Sequence, residues 1–343
     1  MELAKIVKKG LEEYSKNKFD EALKLFKKAL PKATNNKDKA IILRNIGLCH
    51  YSVNNYKASE INFKNAVELG YQYAEWELCL AQLQSGNIEG MTLYSSRYYS
   101  DRNTFPNLPI KKINTVEQIR LAKKILVLNE QGFGDEILFS RGLKLLEGKE
   151  FSYQVYPEML ELFKRSFSGN FFDERHLSSS FVFDHDYWIP SGDLFKLVTI
   201  SGDYKHLEIK SSKGNRNKIG VCLFSNPKSM IGQKKSISLD RLKDIIKPFH
   251  FDWVSLQYGV ILDFAENPKL DNFWDTKKVI DDLGLVVTVD TAVANLAASM
   301  NKQVILLVNE WLDWRWALNL WQGDIQICKL DELEQALLVY RAR

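Results

Sequence analysis

Cysteine is scarce in this chain: the four present, Cys49, Cys79, Cys222 and Cys328, stand among apolar neighbours and form no CxxC pair. That excludes a zinc ribbon or a disulfide scaffold and suits buried free thiols. The five histidines make no HExxH or other ligand spacing, so no structural metal is expected. Long apolar runs are also missing. The longest candidate, 283–300, is interrupted by Asp290 and Asn295 and falls short of the roughly 20 residues a membrane span requires. The opening "MELAKIVKKGLEEY" carries acids and a helical spacing where a leader would have basic, apolar and small-residue sections, so a cytoplasmic protein without membrane association is expected. No segment has the low hydrophobicity of a disordered chain, and 45% hydrophobic residues can fill substantial cores.

At 343 residues, two or three domains are expected. The net charge of +4 is unevenly spread: residues 1–123 carry a balance of +7 and the remainder −3. Lysine-rich helical faces are ordinarily solvated, and nucleic-acid binding by the basic region is the lesser reading.

The first section repeats itself. Gly10, Tyr14, Phe19, Phe26 and Ala29 recur as Gly47, Tyr51, Tyr56, Phe63 and Ala66, every pair 37 apart. Small residues let paired helices approach while aromatics fill the groove between them, which predicts stacked antiparallel helix pairs over residues 1–105. A third, degenerate unit runs from Ala74 to Arg97. Pro106 and Pro109 then mark a linker over 106–122.

Beyond it, apolar runs at 125–128, 152–155, 181–183, 219–224, 252–256, 285–289 and 304–308 alternate with helix-length amphipathic segments such as 157–167 and 239–247. Alternation of this kind predicts parallel, doubly wound sheets. The polar stretch 210–218 divides the series into an N-terminal lobe, 123–212, and a C-terminal lobe, 213–343. A cleft at the carboxyl ends of their strands is the expected ligand site.

Three motifs fall at such strand ends. In "QGFGDEI", Gly132 and Gly134 permit a sharp turn and a close approach, and Asp135 either caps the following helix or faces the cleft as a general base. The motif is neither GxGxxG nor a phosphate loop. In "VVTVDTAVANLAASM", Asp290 and Thr291 are good cap residues, and they equally suit a nucleotide's ribose and phosphates. Asn295, one turn along, reaches the same place or satisfies a helix contact. The loop "NPKSMIGQKKSISL" brings Asn226, Lys228, Lys234 and Lys235 to that face, where a lysine could neutralise a departing diphosphate without a metal. The triplet Asp184, His185, Asp186 lies outside this context and is set aside as a metal motif. The tryptophans of "EWLDWRW" read as core.

These motifs, in this order, resemble bacterial tetratricopeptide-repeat glycosyltransferase-like proteins whose catalytic part is similar to the ADP-heptose heptosyltransferases; the architecture is more distantly similar to protein O-GlcNAc transferases. The resemblance implies helical repeats followed by a GT-B pair of Rossmann-like α/β domains. It implies Asp135 as the catalytic base beside an acceptor pocket at Gly132 and Gly134. Asp290, Thr291 and Ala292 would contact a nucleotide sugar, with Lys228 or Lys234 on its diphosphate. Asn295 departs from the family, which has His there. The expected function is inverting, metal-independent transfer from a nucleotide-diphosphate sugar to a hydroxyl, with no cofactor besides the donor. A protein or peptide partner would sit on the repeats. The competing expectations are a non-catalytic scaffold and, more weakly, glycosylation of modified nucleic acid.

Overall fold

A computed structural model describes residues 2–99, 108–173, 183–202, 208–226, 230–309, 312–321 and 323–342. The chain forms two compact units: residues 1–107 with Asp313–Asn319, and residues 108–312 with 320–343.

In the first unit, α1 (Glu2–Ser15) pairs with α2 (Phe19–Ala29), α3 (Asn36–Ser52) with α4 (Tyr56–Glu68), and α5 (Ala74–Gln84) with a 3₁₀ stretch, Ile88–Tyr99. The repeat is visible in atomic contacts. A methyl group on Gly10 would stand 2.6 Å from the Phe26 ring, and one on Gly47 would stand 2.6 Å from the Phe63 ring, so each glycine exists to admit a phenylalanine. Tyr14 meets Phe19 edge-on at 5.3 Å and Tyr51 meets Tyr56 at 5.4 Å. Asn17 and Asn54 take the same left-handed turn, each at φ 60°, a conformation asparagine tolerates better than most residues. Gly86 supplies the third such turn at φ 85°. The third pair departs where its second arm tightens to 3₁₀ geometry. Trp314 and Trp316 are buried in this unit, and Trp314 meets Tyr94 at 6.0 Å, so both are core. The segment 313–319 therefore packs with the helices, whereas the sequence division assigns it to the C-terminal lobe. Trp311 lies outside the described residues.

Among the described residues, the second unit holds two five-stranded sheets, all parallel. The N-terminal lobe contains β1 (Lys111–Lys112), α6 (Val116–Leu121), β2 (Lys124–Leu128), α7 (Phe133–Phe139), β3 (Glu150–Gln154), α8 (Leu160–Ser166), β4 (Asn170–Phe172), β5 (Tyr187–Pro190) and α9 (Ser191–Ile200). The C-terminal lobe contains β6 (Asn215–Cys222), α10 (Met230–Lys235), α11 (Leu239–Ile246), β7 (Asp252–Ser255), α12 (Phe273–Asp282), β8 (Leu283–Val289), α13 (Ala292–Ser299), β9 (Gln303–Leu307), β10 (Ile325–Cys328) and a final helix, Leu333–Ala342. Strand orders are β1-β5-β2-β3-β4 and β10-β9-β8-β6-β7. Ile125, Leu126 and Val127 in one sheet, and Leu285, Val286 and Val287 in the other, are fully enclosed. Continuous apolar runs are what strands covered on both faces require, each such side chain contributing about 1.5–3 kcal/mol on burial.

Both sheets reverse their winding once. From β2 the chain moves outward to β3 and β4 and then returns to the other side at β5; from β6 it moves to β7 and returns at β8. The crevices beside the carboxyl ends of β2/β5 and β6/β8 are the topological switch points.

The junction between the lobes is pinned rather than free. Lys302 is 3% exposed, and its Nζ donates to the carbonyls of Ser212 (2.9 Å), Asp281 (2.7 Å) and Leu283 (3.0 Å). Burial lowers its pKa. Ser212 N also donates to Asp281 Oδ1 at 2.7 Å, so the polar stretch that divides the lobes is fastened to the second one.

Candidate functional site

Each predicted motif leaves the carboxyl end of a strand at a switch point. After β2, the sharp turn is made by Gln131 at φ 65°, so neither glycine supplies the left-handed residue. Gly132 caps α7 from an extended conformation, and its N–H donates to Asp135 Oδ2 at 3.1 Å. Asp135 therefore does close the helix start, as the capping reading required, while remaining partly exposed at the strand end.

Gly134 is a point of close approach between the lobes. A methyl group there would lie 2.9 Å from Asn295 Nδ2 and 3.5 Å from Ala292 Cα, so its bareness lets α7 rest on α13 of the other lobe. Phe133 meets Phe273 at 5.2 Å, Arg165 lies over Trp274 at 5.1 Å, and Arg141 lies over Trp321 at 4.4 Å. The candidate base and the candidate nucleotide motif thus meet across one seam.

On the C-terminal side, Thr291 occupies the cap position of α13 without capping it through its side chain. The Thr291 side chain makes no cap hydrogen bond; its Oγ1 lies 3.8 Å from Cys222 Sγ and 3.4 Å from Thr288 Oγ1. Asp290 is ion-paired with Lys235. The first turn of α13 therefore presents backbone N–H groups with no threonine cap, the arrangement that attracts anions. Ala292 opens that helix without a bulky side chain. Asn295 is 3% exposed and donates from Nδ2 to Thr291 O at 2.9 Å, serving as a helix contact wedged against Gly134.

The lysines separate clearly. Lys235 turns to Asp290, whereas the exposed Lys234 lines a different cavity of about 500 Å³ with Arg241, Asn309 and Lys329. Lys228 lies outside the described residues. Asn226 is exposed at the loop after β6. That loop is held by Gln257, whose Oε1 accepts from Leu223 N (3.1 Å) and Phe224 N (2.9 Å) and whose Nε2 donates to Phe224 O at 3.2 Å.

Two residues that sequence reasoning passed over stand beside these motifs. Glu130 Oε1 accepts from Gly192 N at 2.8 Å, joining the loops after β2 and β5. Glu136 is fully buried. Its signal was its position on one helical face with Phe139, Ser140 and Leu143, all of them buried. The triplet at 184–186 sits at the opposite ends of the strands, where Asp186 accepts from Lys123 N at 2.7 Å and Lys124 N at 3.2 Å, and Asp184 pairs with Lys124.

No family model matches the sequence, and no curated protein matches it. Similar solved structures include the E. coli heptosyltransferase WaaC with ADP, at 9% identity and TM-score 0.48, covering 63% of this chain and 99% of that one. A glycosyl transferase family 9 protein from Veillonella parvula is 12% identical at TM-score 0.45, covering 63% and 89%. A mutant O-GlcNAc transferase from Thermobaculum terrenum is 13% identical at TM-score 0.30, covering 98% and 89%. At such scores no residue role and no activity is carried over from them. Among the described residues, no helix is long and apolar enough to cross a membrane.

Proposed function

We propose that the seam is the active site of an inverting, metal-independent glycosyltransferase with a GT-B pair of lobes, moving a sugar from a nucleoside-diphosphate donor to a hydroxyl of a protein, glycan or other acceptor. The observation that carries this reading is the meeting of an acid-bearing turn with a helix N-terminus that its threonine leaves without a side-chain cap, and with the Asp290–Lys235 pair, at paired switch points, with Gly134 against Ala292 and Asn295.

The donor's diphosphate rests on the first turn of α13, and its ribose is met by Asp290. Lys235, already held at Asp290, supplies the positive charge that stabilises the leaving diphosphate. Asp135 takes the proton of the acceptor hydroxyl as its oxygen attacks the anomeric carbon; the bond from that carbon to the diphosphate oxygen breaks, and its electron pair leaves with the nucleotide. Attack from the lobe opposite the diphosphate inverts the anomeric centre.

A thermal-shift panel of UDP, ADP, GDP, CMP and their sugar conjugates tests donor binding. A ligand at about 100 times its Kd should add roughly 2.7 kcal/mol of stability. A selective shift, weakened in Asp290→Ala, is expected. Asp135→Asn should keep that shift while turnover falls by about 10²–10⁴-fold; unchanged turnover would sink the assignment. The second reading, a scaffold that binds partners without turnover, draws on Asn295, whose uncharged, buried amide sits where a cationic side chain could face the phosphates. Absence of a shift with every nucleotide would favour it.

A further inference from the structure

Glu136 follows the candidate base directly and is 0% exposed. A carboxyl group is stable in such a place only if partners hold it. Both its oxygens accept from the backbone N–H of Tyr156, at 3.2 and 3.3 Å, and the Asn129 side chain donates to it as well. Burial pushes the carboxyl up to about 8, opposed by those hydrogen bonds and reinforced by nearby Glu158.

Tyr156 then grips the turn at two points. Its ring stands edge-on to Phe133, centroids 5.0 Å apart and planes at 82°, and its hydroxyl donates to the carbonyl of Gln131. Gln131 is the left-handed residue of the turn, a conformation that costs a non-glycine on the order of 1 kcal/mol and persists where neighbours enforce it. Phe133 opens α7 and is braced on its other side by Phe273. One buried carboxyl, acting through one tyrosine, thus holds residues on both sides of Gly132, immediately ahead of Asp135.

We propose that Glu136 is a positioning residue for Asp135, setting the direction of the candidate base through Tyr156. The inference rests on the reading of Asp135 as the base, and the experiment separates the two. Full-length protein is assayed for nucleotide release with water as acceptor, using the nucleotide sugar that gives the thermal shift. Glu136→Ala is expected to lower kcat by about 30–100-fold, the scale of an ångström-sized misplacement, with donor KM and nucleotide-induced shift unchanged. Glu136→Gln keeps an acceptor oxygen for Tyr156 N and should stay within about threefold of the parent. Tyr156→Phe, which loses only the contact to Gln131, should fall between them.

Parent-like turnover in Glu136→Ala, alongside loss in Asp135→Asn, overturns the inference while leaving the base assignment intact. Equal loss in the Ala and Gln variants, with loss of the nucleotide shift, also overturns it, because the residue would then be structural only. Full turnover in Asp135→Asn removes the parent reading itself. Hydrogen exchange over residues 128–136 provides an answer that needs no turnover: protection lost in Glu136→Ala and kept in Glu136→Gln supports positioning, and parent-like protection in the Ala variant overturns it.

Discussion

The two sheets of the larger unit have the same number of strands, the same parallel sense and matching switch points, yet their polar groups are held in opposite ways. At the end of β2, an acid is enclosed without a cation: Glu136 is kept by a backbone N–H and an amide, and its carboxyl rises to about 8. At the end of β8, charge meets charge, because Asp290 has Lys235. Topology therefore determines where a ligand can lie, while local partners decide what chemistry is offered there. The N-terminal side holds one enclosed acid beside its turn, and the C-terminal side holds an ion pair beside a helix start that Thr291 does not cap with its side chain.

This contrast can be broken most strongly through pH. The folded Glu136 retains its proton up to about 8, whereas in the unfolded chain it releases the proton near its ordinary 4.5. The native state then binds more protons between those values, so the group's stabilising contribution is complete below 4.5 and is lost as pH rises to about 8, by as much as ~3–5 kcal/mol. Urea denaturation at pH 5 and pH 8.5 should show Glu136→Gln gaining on the parent by that amount at the higher pH. Parallel pH profiles would mean that the acid is not enclosed as described.

A smaller effect tests the seam. Gly134→Ala should cost about 1–2 kcal/mol, because the new methyl must displace the buried Asn295 amide. Gly132→Ala should change the unfolding free energy in urea by under ~0.5 kcal/mol, since its methyl would meet only Asp135 Oδ2, at 3.6 Å. Equal costs would erase the distinction between the two glycines. Smaller still, Lys235→Gln should weaken nucleotide binding about tenfold by calorimetry, or ~1.4 kcal/mol, with Lys234→Gln close to the parent. Reversed sensitivities would move the donor site toward the cavity beside Arg241 and Lys329.

Much of the fold was legible because its strands are enclosed on both faces. The runs at 125–128, 219–224, 285–289 and 304–308 became β2, β6, β8 and β9 with boundaries shifted by a few residues. The strands that escaped are short or lie at edges: β1 has two residues, β4 is "NFF", and β10 leaves Gln326 and Ile327 exposed. The run at 181–183 lies mostly outside the described residues, and the paired strand β5 begins at Tyr187 with a composition, Tyr-Trp-Ile-Pro, whose final proline reads as a break. The stretch read as a linker contains α6, fastened by a capping box between Thr115 and Gln118.

For the site, position was legible and partnership was not. Asp135, Asp290 and Thr291 could be placed because each follows a recognisable strand. Nothing in a run of loop lysines distinguishes Lys235 from Lys234, since the difference is which way each side chain leaves the backbone. The 37-residue period named the glycines and their aromatic partners correctly, because a missing Cβ and a ring that fills its place leave the same mark in every copy.

The three carbonyls around Lys302 enclose its ammonium much as a chelator encloses an ion. An amine-directed reagent finds the exposed lysines of this chain at once but can acylate the buried Lys302 only when this cage of carbonyls opens. Labelling of that one residue, followed by mass spectrometry, is therefore a clock for local opening around Ser212, Asp281 and Leu283, built into the protein without any added probe.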